Sequence, residues 1–285
     1  MSSVKAYLEL ARWKNALMAA FGVAVGASPR LFMIEPVAMV AAICSAIALT
    51  VTANATNDVA DADLDRVAHP ARPIPSGRIS KDAARRTALL AAALGITFST
   101  VAAPALGAIS LGVVAIMFLY SPWLKRNGLV GNAIVAVLAS LPFLYGAWII
   151  GEPRFGLLLV VLAVPLHFAR ELAKDIDDAT ADAGARRTLP IVLGVPATRR
   201  AVAGLIGIYA IVPFVFLELI SCCDIFGRAG LGILIAELSI ILMLSIACRR
   251  VWTGRPGAPD ALKGAMVGFM IAAFLLLSYG SEIVR

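Results

Sequence analysis

Two acidic segments with the same internal spacing are the part of this sequence best suited to chemistry. They read Asn57-Asp58-x-x-Asp61-x-x-x-Asp65 and Lys174-Asp175-x-x-Asp178-x-x-x-Asp182. On an α-helix, which turns by roughly 100° per residue, the three carboxylates of each segment lie along one stripe. Carboxylates this close repel one another unless a cation lies between them. The spacing therefore predicts that these six aspartates bind metal.

The residue types near these stripes indicate which cation they bind. The cysteines show no C-x-x-C spacing and lie elsewhere. His69 precedes Pro70 in a loop and His167 lies in an apolar helix, so we assign loop and packing roles to the histidines. The remaining ligands are oxygen atoms, which suit Mg²⁺, a cation that prefers a few carboxylates together with water and substrate phosphates.

The helical stripe also indicates which neighbouring polar residues face the same ligand as the aspartates. Asn54 shares the stripe of the first segment and Glu171 shares that of the second, whereas Asp63 and Asp177 point away. We therefore expect Asn54 and Glu171 to face the same ligand as the aspartates, and Asp63 to be a solvated charge.

Basic residues surround both acidic segments. They are Arg72, Arg78, Lys125, Arg126, Lys174, Arg186 and Arg187. Some of them reflect the ordinary enrichment of basic residues in cytosolic loops. A site for a metal ion alone would need only acidic side chains, and a site for an anion alone would need only basic ones. Because both kinds occur together here, we predict that the site binds a magnesium-bound diphosphate. Arg72 and Lys125 are the strongest candidates for contacts with it.

The composition places this chemistry in a membrane. Of the 285 residues, 60% are hydrophobic and 15% charged, whereas a soluble domain carries about 25% charged residues. Nine apolar segments recur, at about 14–29, 36–56, 84–103, 105–123, 130–150, 155–173, 199–220, 229–249 and 262–283. Most are long enough to cross roughly 30 Å of hydrocarbon, which an unusually apolar soluble helical protein would not require. The sequence predicts one all-α integral membrane domain over residues 1–285, with membrane lipid and not nucleic acid around it.

The basic residues predict the orientation of that domain. Only Arg30, Arg154, Arg228 and Arg285 of the 25 basic residues lie on one predicted side, and the other 21 lie opposite. Basic residues of short loops stay in the cytoplasm. We therefore predict a cytosolic N-terminus, cytosolic motif loops at about 57–83 and 174–198, and an active site of the cell (inner) membrane that faces the cytoplasm.

The chain also aligns with itself at an offset of 117 residues. The offset superposes the acidic segments, Pro73-Ile74 on Pro190-Ile191, and Gly77 on Gly194. This predicts two four-helix repeats plus one further helix. Because four is an even number, both acidic segments end on the same side of the membrane.

The position of the acidic segments at the ends of apolar helices favours an enzyme that acts on a diphosphate with an apolar tail. A diphosphate with a long apolar tail needs ions at one end and hydrocarbon at the other, and each buried CH₂ contributes about 0.8 kcal/mol. A transporter would place its acids near the bilayer midplane or along a pathway, whereas these lie at helix ends. A scaffold protein has no use for a paired carboxylate array.

These motifs resemble those of the UbiA superfamily of intramembrane prenyltransferases. The resemblance rests on Asn57-Asp58-Val59-Ala60-Asp61 through His69-Pro70-Ala71-Arg72-Pro73-Ile74-Pro75-Ser76-Gly77-Arg78, and on Lys174-Asp175-Ile176-Asp177-Asp178 through Thr188-Leu189-Pro190. Further family positions are matched by Arg12, Asn15, Tyr120, Lys125 and Asn132.

The resemblance implies nine helices around a central cavity and two Mg²⁺ ions, for which Mn²⁺ can substitute, bridging the aspartates to a prenyl diphosphate donor. It implies catalytic roles for Tyr120, Lys125 and Arg72. The residues it implies for substrate binding are Arg12, Asn15, Asn54, Asn57, Arg72, Arg78, Lys125, Asn132, Glu171 and Lys174. The oligomeric state stays open.

The similarity of two motifs to those of particular family members indicates the lipophilic acceptor. The Arg-Pro-Ile-Pro-Ser-Gly tail and the block around Glu171 are similar to those of family members that transfer geranylgeranyl to the hydroxyl of a prenylated glycerol phosphate. Two positions depart from the family pattern: Trp13 stands where a proline is common, and Ala181 where a glycine is usual. Aromatic or quinone-precursor acceptors of the 4-hydroxybenzoate, homogentisate or chlorophyllide type remain the alternative.

Overall fold

The protein is described by a computed structural model covering residues 3–120, 128–182, 187–220 and 230–283. Besides a 3₁₀-helix at Ser28–Met33, this part of the chain is built from α-helices. In chain order they are α1 (Ser3–Ala11), α2 (Trp13–Ala27), α3 (Pro36–Ala68), α4 (Lys81–Ala102), α5 (Pro104–Tyr120), α6 (Gly128–Ile149), α7 (Pro153–Asp177), α8 (Ala179–Asp182), α9 (Leu189–Val192), α10 (Val195–Ile220), α11 (Gly230–Thr253) and α12 (Ala258–Ile283). Each predicted apolar segment falls on one of the long helices, and the predicted all-α class is confirmed.

Several of these helices are suited to a bilayer by length and composition. Within the described ranges, four are long and apolar enough to cross a membrane: Pro36–Ala68, Gly128–Ile149, Pro153–Asp177 and Ala258–Ser278. A shorter apolar helix covers Pro104–Leu119. This is the pattern of a multi-pass membrane protein.

Local capping determines where α3 begins, and the length of α3 determines where its aspartates lie. The side chain of Glu35 accepts a hydrogen bond from the backbone N–H of Ala38, and Pro36 occupies the first turn of α3. A helix rises about 1.5 Å per residue, so the 33 residues of α3 exceed the ~20 needed to cross a bilayer. Its last turns, which carry the first acidic segment, therefore extend beyond the length that hydrocarbon requires.

Glycines allow α2 and α6 to pack with their backbones in contact. A Cβ on Gly26 would collide with the carbonyl of Phe143, and one on Gly146 would collide with the carbonyl of Val23. Small residues permit such close approach between helices in membranes, where dispersion contacts and not the hydrophobic effect drive association. This packing fixes the two walls that carry Asn15 and Asn132.

Polar groups join α3 to α4 in the interior. The Ser45 hydroxyl donates to the carbonyl of Gly95 at 2.9 Å and forms a second hydrogen bond with the hydroxyl of Ser99. Both serines are fully buried, where a polar group without a partner would be costly. Apolar clusters on either side, one centred on α2, α3 and α4 and another on α7, α10 and α12, complete the interior.

Candidate functional site

One cavity gathers residues of both acidic segments. Its volume is about 370 Å³, within the ~300–1,000 Å³ of typical ligand pockets. Described residues of α2, α3, α5, α6, α7, α10 and α12 line it. The predicted site residues among them are Arg12, Asn15, Asn54, Asn57, Asp61, Asp65, Arg72, Asn132, Glu171, Lys174, Asp175 and Asp178. The central cavity expected from the resemblance is therefore present.

Arginines hold the first acidic segment. Asp58 and Asp65 are each only 4% exposed. An Nη atom of Arg12 lies 2.7 Å from Asp58, and an Nη atom of Arg72 lies 2.6 Å from Asp65. Because α3 continues to Ala68, the predicted helical stripe is unbroken. Asp63, as predicted, is exposed.

The second acidic segment departs from the predicted repeat of this geometry. Helix α7 ends at Asp177, and Asp178 adopts a non-helical cap conformation before the short helix α8. Asp175 accepts a 2.7 Å hydrogen bond from the amide of Asn132, and Asp178 lies 3.6 Å from Nε2 of His69. Among the described contacts, this segment therefore meets an amide on α6 and an imidazole in the turn after α3.

The donor atoms of both segments fit a hard divalent cation by their chemistry. Oxygen ligands around one shared cavity are what Mg²⁺ prefers. Within the described residues, however, no group of three or more His, Cys, Asp or Glu side chains lies close enough to hold one ion. Arg12 and Arg72 instead occupy the carboxylates of Asp58 and Asp65. Each of these ion pairs involves one carboxylate oxygen, Oδ1 of Asp58 and Oδ2 of Asp65.

Arg12 lies at a strained break between α1 and α2. Its backbone has φ 48° and ψ 57°, the left-handed region, and it is the one described non-glycine residue with positive φ. The amide of Asn54 donates a 2.9 Å hydrogen bond to the carbonyl of Ala11, which fixes the end of α1 against α3. Strained non-glycine residues cluster at functional sites, and this break directs Arg12 to Asp58.

Arg78 is not among the described residues that line the cavity. Its guanidinium lies 2.6 Å from a carboxylate oxygen of Glu9 and donates to the carbonyl of Ala71. The hydrogen bond from Arg78 lowers the pKa of Glu9, and the charges of Arg78 and Lys5 act in the same direction. Arg78 therefore joins α1 to the loop that carries Arg72, so it positions the site.

Sequence reasoning missed two basic residues on the cavity wall, Arg170 and Lys263. Arg170 and Lys174 both pair with one carboxylate oxygen of Glu171, at 2.8 and 2.6 Å. Lys263, in the first turns of α12, hydrogen-bonds to the amide oxygen of Asn15. All of these residues line the cavity. A signal for Lys263 was present: Met266 and Met270 follow it at helical spacing on the same face.

Three predicted site groups cannot be placed. Lys125 lies outside the described residues, and so do the side chains of Tyr120 and Asp182. The two histidines are described. His69 is in the turn after α3, as predicted, but both it and His167 also line the cavity.

The fold and the cavity define a polytopic helical membrane protein that gathers acids and cations around one apolar pocket. Residues 16–277 match the UbiA prenyltransferase family, and the chain belongs to that family. This confirms the predicted enzyme class, a prenyltransferase.

Individual relatives extend the comparison over the whole chain. The chain is 33% identical to a digeranylgeranylglyceryl phosphate synthase of Methanopyrus kandleri, covering 96% of this chain and 99% of that protein. Among solved structures, it is similar to a UbiA homolog from Aeropyrum pernix K1, with a TM-score of 0.71, 16% identity, and coverage of 100% and 99% of the two chains. It is also similar to a UbiA homolog from Archaeoglobus fulgidus bound to GPP and Mg²⁺, with a TM-score of 0.66, 19% identity, and coverage of 98% and 99%. The two structural likenesses show a shared fold.

Proposed function

We propose that this protein catalyses the Mg²⁺-dependent transfer of a geranylgeranyl group from its diphosphate to the hydroxyl of geranylgeranylglyceryl phosphate. The observation that carries the proposal is the end-to-end similarity to the Methanopyrus kandleri synthase. The cavity supports it, because acids for a metal, cations for phosphates and apolar walls for a prenyl tail meet in one space.

The metal would be held by the two acidic segments. We assign Asp58, Asp61, Asp65, Asp175, Asp178 and Asp182 as ligands of two Mg²⁺ ions, for which Mn²⁺ can substitute. When bound, Mg²⁺ neutralises the diphosphate and stabilises the negative charge that develops as it departs. Arg12 and Arg72, released from their carboxylates, would supply further positive charge to the same oxygens.

The reaction itself is an alkyl transfer. The bond between C1 of the donor and the diphosphate oxygen breaks, and its electron pair leaves with the diphosphate. The acceptor hydroxyl oxygen forms the new bond to C1, and its proton passes to the departing diphosphate. Tyr120 and Lys125 keep the catalytic roles that the family resemblance implies, with Arg72 as the third catalytic residue.

The apolar walls protect this chemistry from water. Leu49, Met117, Phe143 and Met270 line the cavity on α3, α5, α6 and α12. A dry pocket strengthens electrostatic contacts and keeps water from reacting with an allylic cation. The same surface would take up the prenyl tail through burial of its CH₂ groups.

The proposal includes the orientation of the enzyme. We infer nine spans from two four-helix repeats and one further helix, all within a single domain over residues 1–285. The N-terminus and the active site would face the cytoplasm from the cell (inner) membrane, since the basic residues of the loops favour that side.

Product identification tests the proposal directly. Membranes containing the protein are incubated with Mg²⁺, labelled geranylgeranyl diphosphate and a panel of acceptors, and the products are identified by mass. We expect digeranylgeranylglyceryl phosphate from the glycerol phosphate acceptor. A prenylated 4-hydroxybenzoate, homogentisate or chlorophyllide, with no glycerol lipid product, would contradict it.

A further inference from the structure

Positive charge accumulates on one wall of the cavity, where α7 faces α12. Arg170, Lys174 and Lys263 all line the cavity there, and Glu171 is the acidic residue among them. We call these four residues the α7/α12 polar group. Lys263 lies close enough to Arg170 for their like charges to repel. The group therefore holds two more positive than negative charges.

The ion pairs described for this group lie within it. The single carboxylate of Glu171 already serves both Arg170 and Lys174. The buried Nε atom of Arg170 has no hydrogen-bond partner in the described part of the chain. Asp260 attracts Lys263 but is exposed and does not belong to the described lining. A buried cationic donor without a partner is unfavourable, so this wall is suited to an anion.

The α7/α12 polar group is distinct from the contacts that hold the first acidic segment. The carboxylates of Asp58 and Asp65 are paired with Arg12 and Arg72, whereas the hydrogen-bond partner of Lys263 is the neutral amide of Asn15 on α2. Two anion-binding regions in one cavity are what a reaction between a diphosphate and a second phosphate-bearing substrate requires.

The surface next to Lys263 identifies the rest of the ligand. Met266, Phe269 and Met270 follow it along α12 and line the same cavity, and each is about 95% buried. An anion held at Lys263 would therefore continue into an apolar channel. A phosphate monoester carries about −1.5 to −2 charges at neutral pH, which matches the excess of positive charge.

We propose that Lys263 and Arg170 bind the phosphate monoester of the glycerol lipid acceptor, with Asn15 positioning Lys263. This inference rests on the proposed function and specifies its acceptor subsite. It separates the anionic groups of the two substrates: the diphosphate of the donor belongs to the two acidic segments and their metals, and the phosphate of the acceptor to Lys263 and Arg170.

Removal of the phosphate from the acceptor, combined with substitution of Lys263, tests the inference. The purified enzyme and its Lys263→Met variant are assayed with geranylgeranylglyceryl phosphate and with the corresponding alcohol, which lacks the phosphate. We expect wild type to prefer the phosphate, and Lys263→Met to raise the KM for it about 10- to 100-fold, as for a lost charge-assisted hydrogen bond. The KM for the alcohol and for the donor should not change. Arg170→Gln should act in the same direction.

Matched variants separate recognition from folding and general electrostatics. Lys14→Met removes an exposed lysine next to Asn15 that does not line the cavity in the described structure, and it should retain the wild-type preference. Lys263→Arg keeps the positive charge and should retain most of the preference for the phosphate. Equilibrium binding of labelled geranylgeranylglyceryl phosphate in EDTA should weaken in Lys263→Met without any contribution from metal.

The outcomes distinguish this inference from the proposed function. Equal losses for the phosphate and the alcohol, or a rise in the donor KM as large as that for the acceptor, would overturn the inference while wild-type transfer to the glycerol lipid stands. Failure of wild type to prenylate either glycerol lipid, with transfer to an aromatic acceptor, would overturn both.

Discussion

Nε2 of His69 lies 3.6 Å from a carboxylate oxygen of Asp178, so the turn after the first acidic segment meets the second segment where α7 ends. These residues belong to different helix ends, α3 and α7, and both line the same cavity. The contact places the two segments on one side of the helical bundle, as a diphosphate bridged by metal ions requires.

Isosteric replacement of single aspartates should identify the metal ligands. Asp61→Asn and Asp175→Asn keep the side-chain volume but remove the charge that a divalent cation needs. We expect each to lower kcat/KM by about 100-fold or more, the scale of losing one main electrostatic contact to a departing group. Transfer of labelled geranylgeranyl, measured in reconstituted vesicles, provides the values.

Asp63 provides the matched control within the same helix. Its side chain is 77% exposed and lies 3.8 Å from the ammonium of Lys81. Asp63→Asn should therefore leave both activity and stability close to wild type, since exposed ion pairs contribute little. A loss as large as that of Asp61→Asn would show that the helical stripe does not define the site.

Removal of metal should stop the reaction. We expect no transfer in EDTA and full recovery with added Mg²⁺ or Mn²⁺, because the diphosphate would then depart without charge stabilisation. Mg²⁺ together with a non-reactive diphosphate analogue should also raise the thermal midpoint of the detergent-solubilised protein, since ligands of the folded state stabilise it. Turnover that persists undiminished in EDTA rules out the metal role.

The left-handed backbone of Arg12 makes an unusual prediction about stability. A backbone φ of 48° costs a residue with a Cβ atom roughly 1–2 kcal/mol, and glycine does not incur this cost. Arg12→Gly should thus be about 1 kcal/mol more stable than Arg12→Ala, although both lose the contact with Asp58 and the activity. Thermal unfolding of the two variants in the same detergent checks the order; a more stable Arg12→Ala would contradict the strained break.

The glycines between α2 and α6 should be intolerant of any side chain. Gly146→Ala places a methyl group against the backbone carbonyl of Val23, so the helices must separate, at a cost of about 3 kcal/mol or more. Gly112, on α5, has no heavy atom within 4 Å of its added Cβ among the described residues. Gly112→Ala should be neutral or about 0.5–1 kcal/mol stabilising. Unfolding midpoints of both variants test the contrast, and equal effects would exclude backbone contact.

Local features of the sequence were sufficient for the helices and for the acidic stripe. The apolar segments fall on the long helices, and Asp63 and Asp177 are exposed as their helical phase predicts. These predictions succeed because a helix repeats every 3.6 residues through hydrogen bonds between near neighbours. The same reasoning failed at Asp178, where α7 ends and the carboxylate lies near His69 of another helix end.

The sequence by itself determined the class of the protein: apolar spans, paired aspartates and the motifs of a prenyltransferase family. The tertiary structure decided which charges meet. Lys263 and Asn15 are 248 residues apart, and Arg12 and Asp58 are 46 apart. Such pairs depend on how glycine-rich helix faces pack and cross, a property of the whole bundle that no local periodicity contains.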